Sequence, residues 1–418
     1  MQLDAFPAYT DFGPAVPVHC LTPDLPGCFH RFFDTSPISP SGRYCAVTRL
    51  RTEDRLPAPG EMAEVVLIDL IDGSHRVVAE TACFGTQLGA QVQWGADDSQ
   101  LIYNELCEQP AWTPRAVVFD PATGTRRALG GPVYMASRGG SRLASPCLLR
   151  TELTQEGYGF SAPGPRLPLN HGAVSYDGVT LTEVASGAAS QVVSIAEIAQ
   201  QLGPDKLELS DEQLATGGLY GFHVKWNPQG TRLMYVLRYR RHDGKPVPGR
   251  GPQMITMKAD GSDVQVALSR ADWSKGGHHP DWCPDGEHII MNLNLAGDGL
   301  RFVQVRYDGT DLRALHDTIP GSGHPTMHPD GRHVLTDEYT NAQLAYPDGS
   351  VPIRWVDLEA GTDQELVRIP SAPAFFGPQR QLRIDPHPAW DRSFRYVTFN
   401  GSRNGSRAVY LADLSSVL

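Results

Sequence analysis

A short motif that recurs along the chain constrains the fold more strongly than any other feature of the sequence. Its three clearest copies are HVKWNPQG, HPDWCPDG and HPTMHPDG, which begin at His223, His279 and His324. All have the form His-x-x-aromatic or Met-x-Pro-x-Gly, and an apolar segment of strand length follows each copy. Self-similarity of this kind is the sequence signature of repeat architectures. The chain is therefore expected to build one supersecondary unit several times.

Four looser copies bring the motif to seven, and they begin at Thr35, Gln91, Val133 and His387. A second pattern alternates with the first, in which an apolar segment ends in a Gly-containing turn, as in MITMKADG and FVQVRYDG. The two alternating patterns together give about 28 short antiparallel strands, and radial repetition is how such a chain protects its sheet edges. The sequence therefore predicts an all-β protein: a seven-bladed β-propeller of four-stranded antiparallel blades that occupies residues 1–418 as a single domain.

The last blade is expected to take a strand from the beginning of the chain. The final copy of the second pattern, AVYLADLSS, ends close to Leu418 and leaves that blade with three strands. The segment VPVHCL, Val16 to Leu21, is the predicted fourth strand, because its addition would seal the ring and leave no open sheet edge. Between residues 138 and 220, SIAEIAQQL and SDEQLA are predicted as short helices.

Composition and charge exclude several classes of protein. With 40% hydrophobic and 20% charged residues, the chain has the composition of a globular protein with a sizeable core. Its 36 Lys and Arg residues against 47 Asp and Glu residues give a net charge of -11, which repels nucleic acid. The seven cysteines form no CxxC pair, and neither a signal-peptide pattern nor a membrane-length apolar run occurs. We therefore expect a cytoplasmic protein without nucleic-acid or membrane partners, and the sequence leaves its oligomeric state open.

The first position of the motif carries the residues best suited to chemistry. In chain order it holds Thr35, Gln91, Val133, His223, His279, His324 and His387. Four of these seven residues are histidines, in a chain with 14 histidines. The innermost strand of each propeller blade lines the central axis, so equivalent side chains converge there. Several imidazoles around a water-filled funnel favour a divalent metal ion such as Mn or Zn, or Ca where carboxylates join them.

The predicted metal ligands are the four histidines and two further residues, which gives the set His223, His279, His324, His387, Asp385 and Gln91. Asp385 lies two residues before His387, and in an extended segment both side chains point to the same side. Other interpretations stay open. Asp385 also suits a turn before Pro386, Gln91 also suits orienting a water molecule, and repeat histidines also cap strands or bond neighbouring blades.

The second strand of each blade ends on the same face as the start of the motif, and these ends add positive charge. The densest cationic stretch runs from Arg238 to His242, and Arg383 is a further cation near the last ring residue. His278 immediately precedes the ring residue His279, and Tyr339 lies at another strand end. A metal ion and arginines around one funnel, in a protein of net charge -11, indicate an anionic ligand.

Motifs of several other enzyme classes do not occur in the sequence. It contains no GxSxG, no GxxxxGK[ST], no HExxH and no GxGxxG before a helix. The serine hydrolases of the nucleophile-elbow type, the P-loop proteins and the dinucleotide-binding proteins are therefore excluded as interpretations.

The repeats resemble those of the oligogalacturonate lyases and their relatives, which are TolB-type propellers. The turns at 284–286 and 329–331, both Pro-Asp-Gly, match the general TolB repeat, and the histidine-bearing copies match the lyases more specifically. The resemblance implies a divalent cation, usually manganese, held at the propeller mouth by histidines and a glutamine, partly through a Gln-x-x-His-x-His stretch. Here that stretch reads Leu382-Arg383-Ile384-Asp385-Pro386-His387, so His387 is retained and Asp385 replaces a histidine.

The resemblance also assigns roles to residues outside that stretch. It is strongest over residues 220–418, where His324 matches another ligand and His279 matches a histidine near the reaction centre. The arginine that is the proposed base in the family falls at Gln253, with Arg250 nearby. The implied activity is a metal-dependent β-elimination on uronate-containing oligosaccharides, which gives a 4,5-unsaturated uronate product.

For that chemistry the predicted catalytic residues are His279, His278, Arg238, Tyr339 and Arg383. An unprotonated His279 or His278 would remove the proton on C5. Arg238 would pair with the carboxylate, and Tyr339 would protonate the leaving oxygen. The expected cofactor is a divalent metal ion, with Mn favoured over Ca and Zn, and the expected partner is an acidic oligosaccharide. Two alternatives are a non-catalytic TolB-like propeller that binds a protein or glycan, and a metal-dependent hydrolase or epimerase acting on a related sugar acid.

Overall fold

The computed structural model describes residues 3–107, 112–245, 251–373, 375 and 380–418. These residues form seven four-stranded antiparallel sheets, which are the blades of one closed β-propeller. In six blades the four strands follow one another along the chain from an innermost strand at the central channel to an outermost strand at the periphery, and the seventh blade takes its outermost strand from the beginning of the chain. The predicted fold class is therefore confirmed.

The strands are short and follow the two alternating sequence patterns. Strand β1 (Val18–Cys20) precedes the first complete blade. The first three blades contain β2 (Cys28–Phe29), β3 (Tyr44–Arg49), β4 (Ala63–Asp69) and β5 (His75–Thr81); β6 (Gln93–Trp94), β7 (Leu101–Cys107), β8 (Thr113–Phe119) and β9 (Arg126–Ala128); β10 (Met135–Ala136), β11 (Arg142–Ser145), β12 (Gly178–Glu183) and β13 (Ala189–Ser194).

The remaining four blades continue the same order. They contain β14 (Gly217–Trp226), β15 (Arg232–Arg241), β16 (Gln253–Lys258) and β17 (Gln265–Leu268); β18 (Gly277–Trp282), β19 (His288–Leu293), β20 (Arg301–Arg306) and β21 (Arg313–Ala314); β22 (Thr326–Met327), β23 (His333–Thr336), β24 (Ser350–Asp357) and β25 (Thr362–Pro370); β26 (Ala389–Trp390), β27 (Tyr396–Arg403) and β28 (Ser406–Asp413).

The ring closes through strand β1, as the sequence predicts. The strand order in the last blade is β1-β28-β27-β26, with Val18 opposite Ala412 and Cys20 opposite Tyr410. The segment before β1 is also fastened to this part of the ring, because the ring centroid of Tyr9 lies 5.4 Å from that of Tyr410. The first and last strands therefore lie in one sheet, so the last blade has four strands and β28 has no unpaired edge.

The aromatic position of the motif fastens adjacent blades together. Four tryptophans donate the indole N–H to the innermost segment of the preceding blade: Trp94 to the Pro37 carbonyl at 2.8 Å, Trp226 to the Met135 carbonyl at 3.2 Å, Trp282 to the Lys225 carbonyl at 3.1 Å and Trp390 to the Thr326 hydroxyl at 3.1 Å. All four rings are buried. Each buried hydrogen bond contributes about 1 kcal/mol net, so the motif retains an aromatic residue here because it docks one blade on the next.

The hydrophobic cores lie between neighbouring blades. In one of them Leu181 and Val193 of the third blade pack with Val224, Leu233 and Ile255 of the fourth blade. The alternation of side chains along a strand explains this placement, because each blade presents one apolar face to each neighbour. The blades are therefore sheets packed on sheets around a common axis.

The described residues include four α-helices outside the blades: α1 (Leu148–Thr154), α2 (Ile195–Leu207), α3 (Asp211–Thr216) and α4 (Arg270–Trp273). The two helices expected from the sequence, α2 and α3, begin with capping boxes, in which Ser194 pairs with Glu197 and Ser210 pairs with Gln213. Short 3-10 turns occur at Leu3–Ala5 and Arg380–Leu382. Among the described residues, no helix has the length and apolar character needed to cross a bilayer.

Candidate metal centre and active site

The segment 30–34 fills the centre of the channel and sets the floor of the site. In the first blade the innermost strand β2 stops at Phe29, and pairing resumes only at Ile38, opposite Cys45. The chain between them enters the channel, where the ring centroid of Phe32 lies 5.2, 5.9, 5.6 and 4.7 Å from those of His223, His279, His324 and His387. The side chains of the four motif histidines therefore converge around the ring of Phe32.

A left-handed backbone conformation aims most of the ring side chains into the channel. The φ angles of Gln91, His223, His279 and His387 are 58°, 35°, 58° and 50°. The strand register shifts on passing His223 and again on passing His279, which are β-bulges. Non-glycine residues hold such φ values only where the surroundings enforce them, and these positions cluster at functional sites.

Glycine takes the strained position in the sixth blade. Gly323, which precedes His324, has a φ of 49°. A Cβ atom on this residue would lie 2.0 Å from Oδ1 of Asp337. Only glycine fits here, because both the backbone conformation and the approach of the carboxylate exclude a side chain. The missing Cβ lets Asp337 come close to the backbone and ring of His324.

Three residues form a cluster that is able to hold a metal ion. The ligand atoms of His324, Asp385 and His387 all lie within 4.8 Å of one another, and the three residues are buried. Nε2 of His387 lies 3.8 Å from Oδ2 of Asp385. His324 comes from the sixth blade, and the other two precede β26 of the seventh. Burial holds the pKa of His387 well below its usual range, which keeps that ring in the neutral form that binds metals.

Asp337 positions the two histidines of this cluster. Its carboxylate accepts the Nδ1–H of His324 at 2.8 Å (Oδ1) and 3.0 Å (Oδ2), and the backbone N–H of His324 at 2.7 Å. It also accepts the backbone N–H of His387 at 2.9 Å. Because Nδ1 of His324 carries the proton, its Nε2 is the nitrogen with a free lone pair. This arrangement of carboxylate, histidine and open nitrogen is the one that supports metal-bound histidines.

The nitrogens that face this cluster lack protein partners. Nε2 of His324 and both ring nitrogens of His387 are buried and make no hydrogen bond within the described part of the chain. A buried nitrogen without a partner costs about 1–3 kcal/mol, and a cation bound at the lone pair removes that cost. Two imidazole nitrogens and one carboxylate oxygen are a donor set that suits Mn or Zn. The residues present therefore fit a divalent metal ion.

The other predicted ligands lie in the same ring but have different partners. Nδ1 of His223 is hydrogen-bonded to the hydroxyl of Tyr134. Oε1 of Gln91 accepts the Nε–H of Arg31 at 2.9 Å. His279 stacks on His324 with ring centroids 3.9 Å apart. The structure thus brings together three of the six predicted ligands and places the other three around them.

A funnel of about 500 Å³ opens beside the cluster. All five predicted catalytic residues line it: His278, His279, Arg238, Tyr339 and Arg383. The guanidinium of Arg238 lies 3.8 Å from the ring centroid of Phe222 and donates to the side-chain oxygen of Gln155. Burial lowers the pKa of Arg238 to about 10, so it remains cationic at neutral pH. Within the described residues it has no carboxylate partner.

Arg383 links the metal cluster to the wall of the funnel. Its Nε–H donates to both oxygens of Asp385, at 2.9 and 2.8 Å, and its Nη2–H donates to the hydroxyl of Tyr158 at 2.7 Å. Burial lowers the pKa of Arg383, but Asp385, Tyr158 and Tyr339 together raise it above its usual value. Arg383 thus fixes the orientation of the Asp385 carboxylate, which makes it a positioning residue for the cluster.

His279, His278 and Tyr339 form a hydrogen-bonded group in the funnel. Nδ1–H of His279 donates to the Gly323 carbonyl at 2.9 Å, which leaves its Nε2 to accept the Tyr339 hydroxyl at 3.1 Å. Nδ1 of His278 accepts from Asn292 at 3.3 Å. Burial lowers the pKa of His278 to about 4 and that of His279 well below its usual range. Both imidazoles are therefore neutral at pH 7.

Burial also keeps the phenol of Tyr339 in its neutral form, which for a phenol is the protonated one. Burial, followed by the charge of Asp385, raises its pKa well above the usual value. A neutral phenol hydrogen-bonded to a neutral imidazole is a pair that can donate one proton and accept another. The funnel thus contains an acid, a base and an unpaired guanidinium.

The position that resembles the arginine base of the family is structural here. Gln253 is fully buried at the start of β16 and donates to the Lys206 carbonyl at 2.6 Å. Arg250 lies outside the described residues. Gln253 does not line the funnel, so the chemistry has to come from other side chains.

Several residues of the site carry no signal in the repeat. Asp337 directly follows β23 and has no equivalent in the motif. The segment from His30 to Asp34 enters the channel, and its only signal in the sequence is that it departs from the pattern of the other blades. Tyr158 and Gln155 belong to the long insertion around α1, which the sequence places only as extra length.

The fold of this protein is similar to that of several solved structures. No protein-family model matches the chain, and no curated protein matches it. Among solved structures, an oligogalacturonate lyase in complex with manganese has a TM-score of 0.66 at 15% identity, over 98% of this chain and 96% of that chain. An oligogalacturonate lyase from Vibrio parahaemolyticus has a TM-score of 0.65 at 15% identity, over 99% of this chain and 98% of that chain.

A puromycin-hydrolyzing peptidase from Mycobacterium tuberculosis is similar to a smaller degree. Its TM-score is 0.54 at 12% identity, and the match covers 94% of this chain but 55% of that chain. At these identities the comparisons show a common fold. The likeness to the oligogalacturonate lyases spans almost the whole chain, including the first half, where the sequence resemblance fades.

Proposed function

We propose that the protein is a metal-dependent lyase that cleaves uronate-containing oligosaccharides by β-elimination and releases a 4,5-unsaturated uronate. One observation carries the proposal. The guanidinium of Arg238, a neutral imidazole and a neutral phenol line one funnel. The cluster of His324, Asp385 and His387 adjoins this funnel, because His279 stacks on His324 and Arg383 donates to Asp385. These are the groups that removal of a proton next to a carboxylate requires.

The metal would be held by His324, Asp385 and His387. When bound, a divalent cation supplies Lewis-acid stabilisation to the uronate carboxylate and so acidifies the proton on C5. Asp337 and Arg383 hold the three ligands in place through the hydrogen bonds described above. The manganese in the structurally similar lyase makes Mn the first metal to test.

Arg238 would bind the substrate carboxylate. Its guanidinium is largely removed from water against Phe222, so a carboxylate that pairs with it gains a strong, charge-assisted interaction. Such a group also favours the transition state, because negative charge on the carboxylate grows as the C5 proton leaves. A neutral sugar gives no such interaction, which restricts the substrate to uronates.

His279 and Tyr339 would carry the two proton transfers. The C5–H bond breaks as Nε2 of His279 takes the proton, a double bond forms between C4 and C5, and the C4–O4 bond breaks. The Tyr339 hydroxyl protonates the departing oxygen. Its phenolate then recovers a proton from His279 across their 3.1 Å hydrogen bond, which restores both groups.

The test combines metal analysis with product detection. The purified protein is measured by elemental mass spectrometry and then assayed for ultraviolet-absorbing unsaturated uronate on a panel of acidic oligosaccharides, with neutral galacto-oligosaccharides as controls. We expect near-stoichiometric divalent metal, chelator-sensitive product from a uronate oligomer and none from the neutral sugars. His324→Ala should lose metal and activity together.

A matched variant separates the site from general effects. His288 bonds to Asp285 in a surface turn remote from the funnel, so His288→Ala should keep both metal and activity. Retention of metal in His324→Ala would contradict the ligand assignment. A protein that binds neither Mn nor Ca and yields no unsaturated product would instead support a binding propeller without catalysis.

A further inference from the structure

A second cavity, of about 590 Å³, lies at the end of the channel opposite the histidine funnel. Residues from all seven blades line it, at the points where the innermost strands end. Phe33 lies between the two spaces, because it lines this cavity while its ring centroid is 5.1 Å from that of His324. The second cavity is therefore distinct from the funnel.

Aromatic and apolar side chains form a large part of the wall of this cavity, alongside polar and charged ones. It includes the four tryptophans that join adjacent blades, together with Phe394, Met135 and Met327. The indole N–H groups already donate to neighbouring blades, so the rings offer apolar surface rather than hydrogen bonds. A ligand that fills this space needs an apolar or aromatic body.

The carboxylates in the lining are already engaged. The Nζ of Lys225 lies 2.9 Å from Oδ2 of Asp34 and 3.5 Å from Oδ1 of Asp281. Arg31 lies 3.3 Å from the other oxygen of Asp34. The carboxylate of Asp391 accepts backbone N–H groups of its own turn, including that of Tyr396 at 2.9 Å. Arg31 and Lys225 thus offset the charges of Asp34 and Asp281, and Asp391 keeps its negative charge.

Two arginines at the mouth are not neutralised in this way. Arg392 extends from the seventh blade to the second, where it donates to the carbonyl oxygens of Gly95 and of Ala96, the latter at 3.1 Å. Arg138 of the third blade is exposed and lies 5.9 Å from the ring centroid of Phe394. Neither arginine forms an ion pair with a carboxylate of the described residues.

The two guanidinium groups also act on each other. Burial, and then the charge of Arg138, lower the pKa of Arg392. Asp97 and Asp98 offset part of this repulsion, but Asp97 accepts from Ser99 at 2.9 Å and Asp98 from the backbone of Ser41 at 3.0 Å. A bound anion would relieve the repulsion between the arginines, and the hydrogen bonds of Arg392 to Gly95 and Ala96 hold one of the two in place to receive it.

We infer that this cavity is a second binding site, for a small organic anion with an aromatic or apolar body, such as an aromatic carboxylate. The body fills the tryptophan-lined space, and the carboxylate lies between Arg138 and Arg392. The site is independent of the proposed lyase chemistry, because it shares no catalytic or metal-binding residue with the funnel.

The experiment uses benzoate as the probe and benzamide as its uncharged counterpart of nearly equal shape. Binding to the full chain is measured by calorimetry and by ligand-observed nuclear magnetic resonance, up to about 20 mM. We expect benzoate to bind at least tenfold more tightly than benzamide, because hydrogen bonds to charged groups are the stronger ones. Arg138→Gln and Arg392→Gln should each weaken benzoate binding about tenfold, and Arg392→Lys should weaken it less.

Arg238→Gln is the control for the other end of the channel and should leave benzoate binding unchanged. Arg138 is exposed, so Arg138→Gln decides the question even where Arg392→Gln fails to fold. The inference is overturned by absent benzoate binding, by equal binding of benzamide, or by binding that survives Arg138→Gln. Loss of binding in Arg238→Gln alone would place the anion in the funnel and would also overturn it.

Discussion

Asp337→Asn is the most informative substitution, because the carboxylate of Asp337 serves both histidines of the cluster. It accepts three N–H groups: the backbone and ring of His324 at 2.7 and 2.8 Å, and the backbone of His387 at 2.9 Å. Asparagine has one acceptor oxygen, so in either orientation its NH2 group faces a backbone N–H. The variant therefore buries at least one unsatisfied donor pair and loses the negative charge behind Nδ1 of His324.

Both consequences have a measurable size. An unsatisfied buried donor and the loss of charge-assisted hydrogen bonds predict a decrease of about 2–4 kcal/mol in the free energy of unfolding. Loss of the group that orients a metal-bound histidine predicts a 10- to 100-fold decrease in Mn affinity, about 1.4–2.8 kcal/mol. Urea denaturation of the metal-free protein measures the first effect, and calorimetric titration with Mn measures the second.

Asp391→Asn is the matched control. Asp391 also accepts backbone N–H groups, from Arg395 at 3.0 Å and Tyr396 at 2.9 Å, but it lies at the opposite end of the channel. This variant should lose stability and keep its Mn affinity. A folded Asp337→Asn protein that binds Mn within about threefold of the wild type would refute the reasoning, and so would an equal loss of affinity in the control.

Three further predictions follow from the fold. Deletion of residues 1–21 removes β1 and exposes the edge of β28, so calorimetry should show that the thermal transition collapses; an unchanged melt would argue against closure by this strand. Burial raises the pKa of Glu152 to about 7. The folded state then retains a proton that the unfolded state releases, so the free energy of unfolding should fall as pH rises from about 4.5 to 7, by about 1–3 kcal/mol. In Glu152→Gln the free energy of unfolding, measured by denaturation at pH 5 and pH 8, should no longer show this dependence on pH. An unchanged dependence would show that another group causes it. Trp390→Phe keeps an aromatic ring but loses the hydrogen bond to Thr326, so urea denaturation should show that the free energy of unfolding falls by about 1 kcal/mol. An unchanged free energy of unfolding would show that this bond does not stabilise the contact between the blades.

The repeat predicts the architecture well because each copy carries its own local information. A strand, a turn and an apolar strand are specified within a dozen residues, and the aromatic residue that docks each blade lies within the motif. Closure is also predictable, because a three-stranded last blade such as that of β26 to β28 leaves an edge that one segment near the other terminus is suited to fill. These features depend on short-range pattern and on the need to pair edges.

The chemistry of the ring is less predictable, because it depends on contacts between segments that are far apart in sequence. His223 and His324 occupy equivalent motif positions, yet one bonds to Tyr134 and the other to Asp337. No local pattern distinguishes them. The position of Phe32 in the centre of the channel also depends on long-range contacts, since this residue comes from the first blade and contacts histidines of four others.

Closure through β1 places the first and last strands of the ring side by side in one sheet, with Val18 opposite Ala412. If a linker joined β1 and β28, new chain ends would be tolerated in a surface turn between other blades. In the natural order, by contrast, the last blade is complete only when β28 has been synthesised. Until then β1 has no partner, and its unpaired edge is open to strands of other nascent chains, so the ordering of the blades along the gene determines how long the protein is exposed to aggregation.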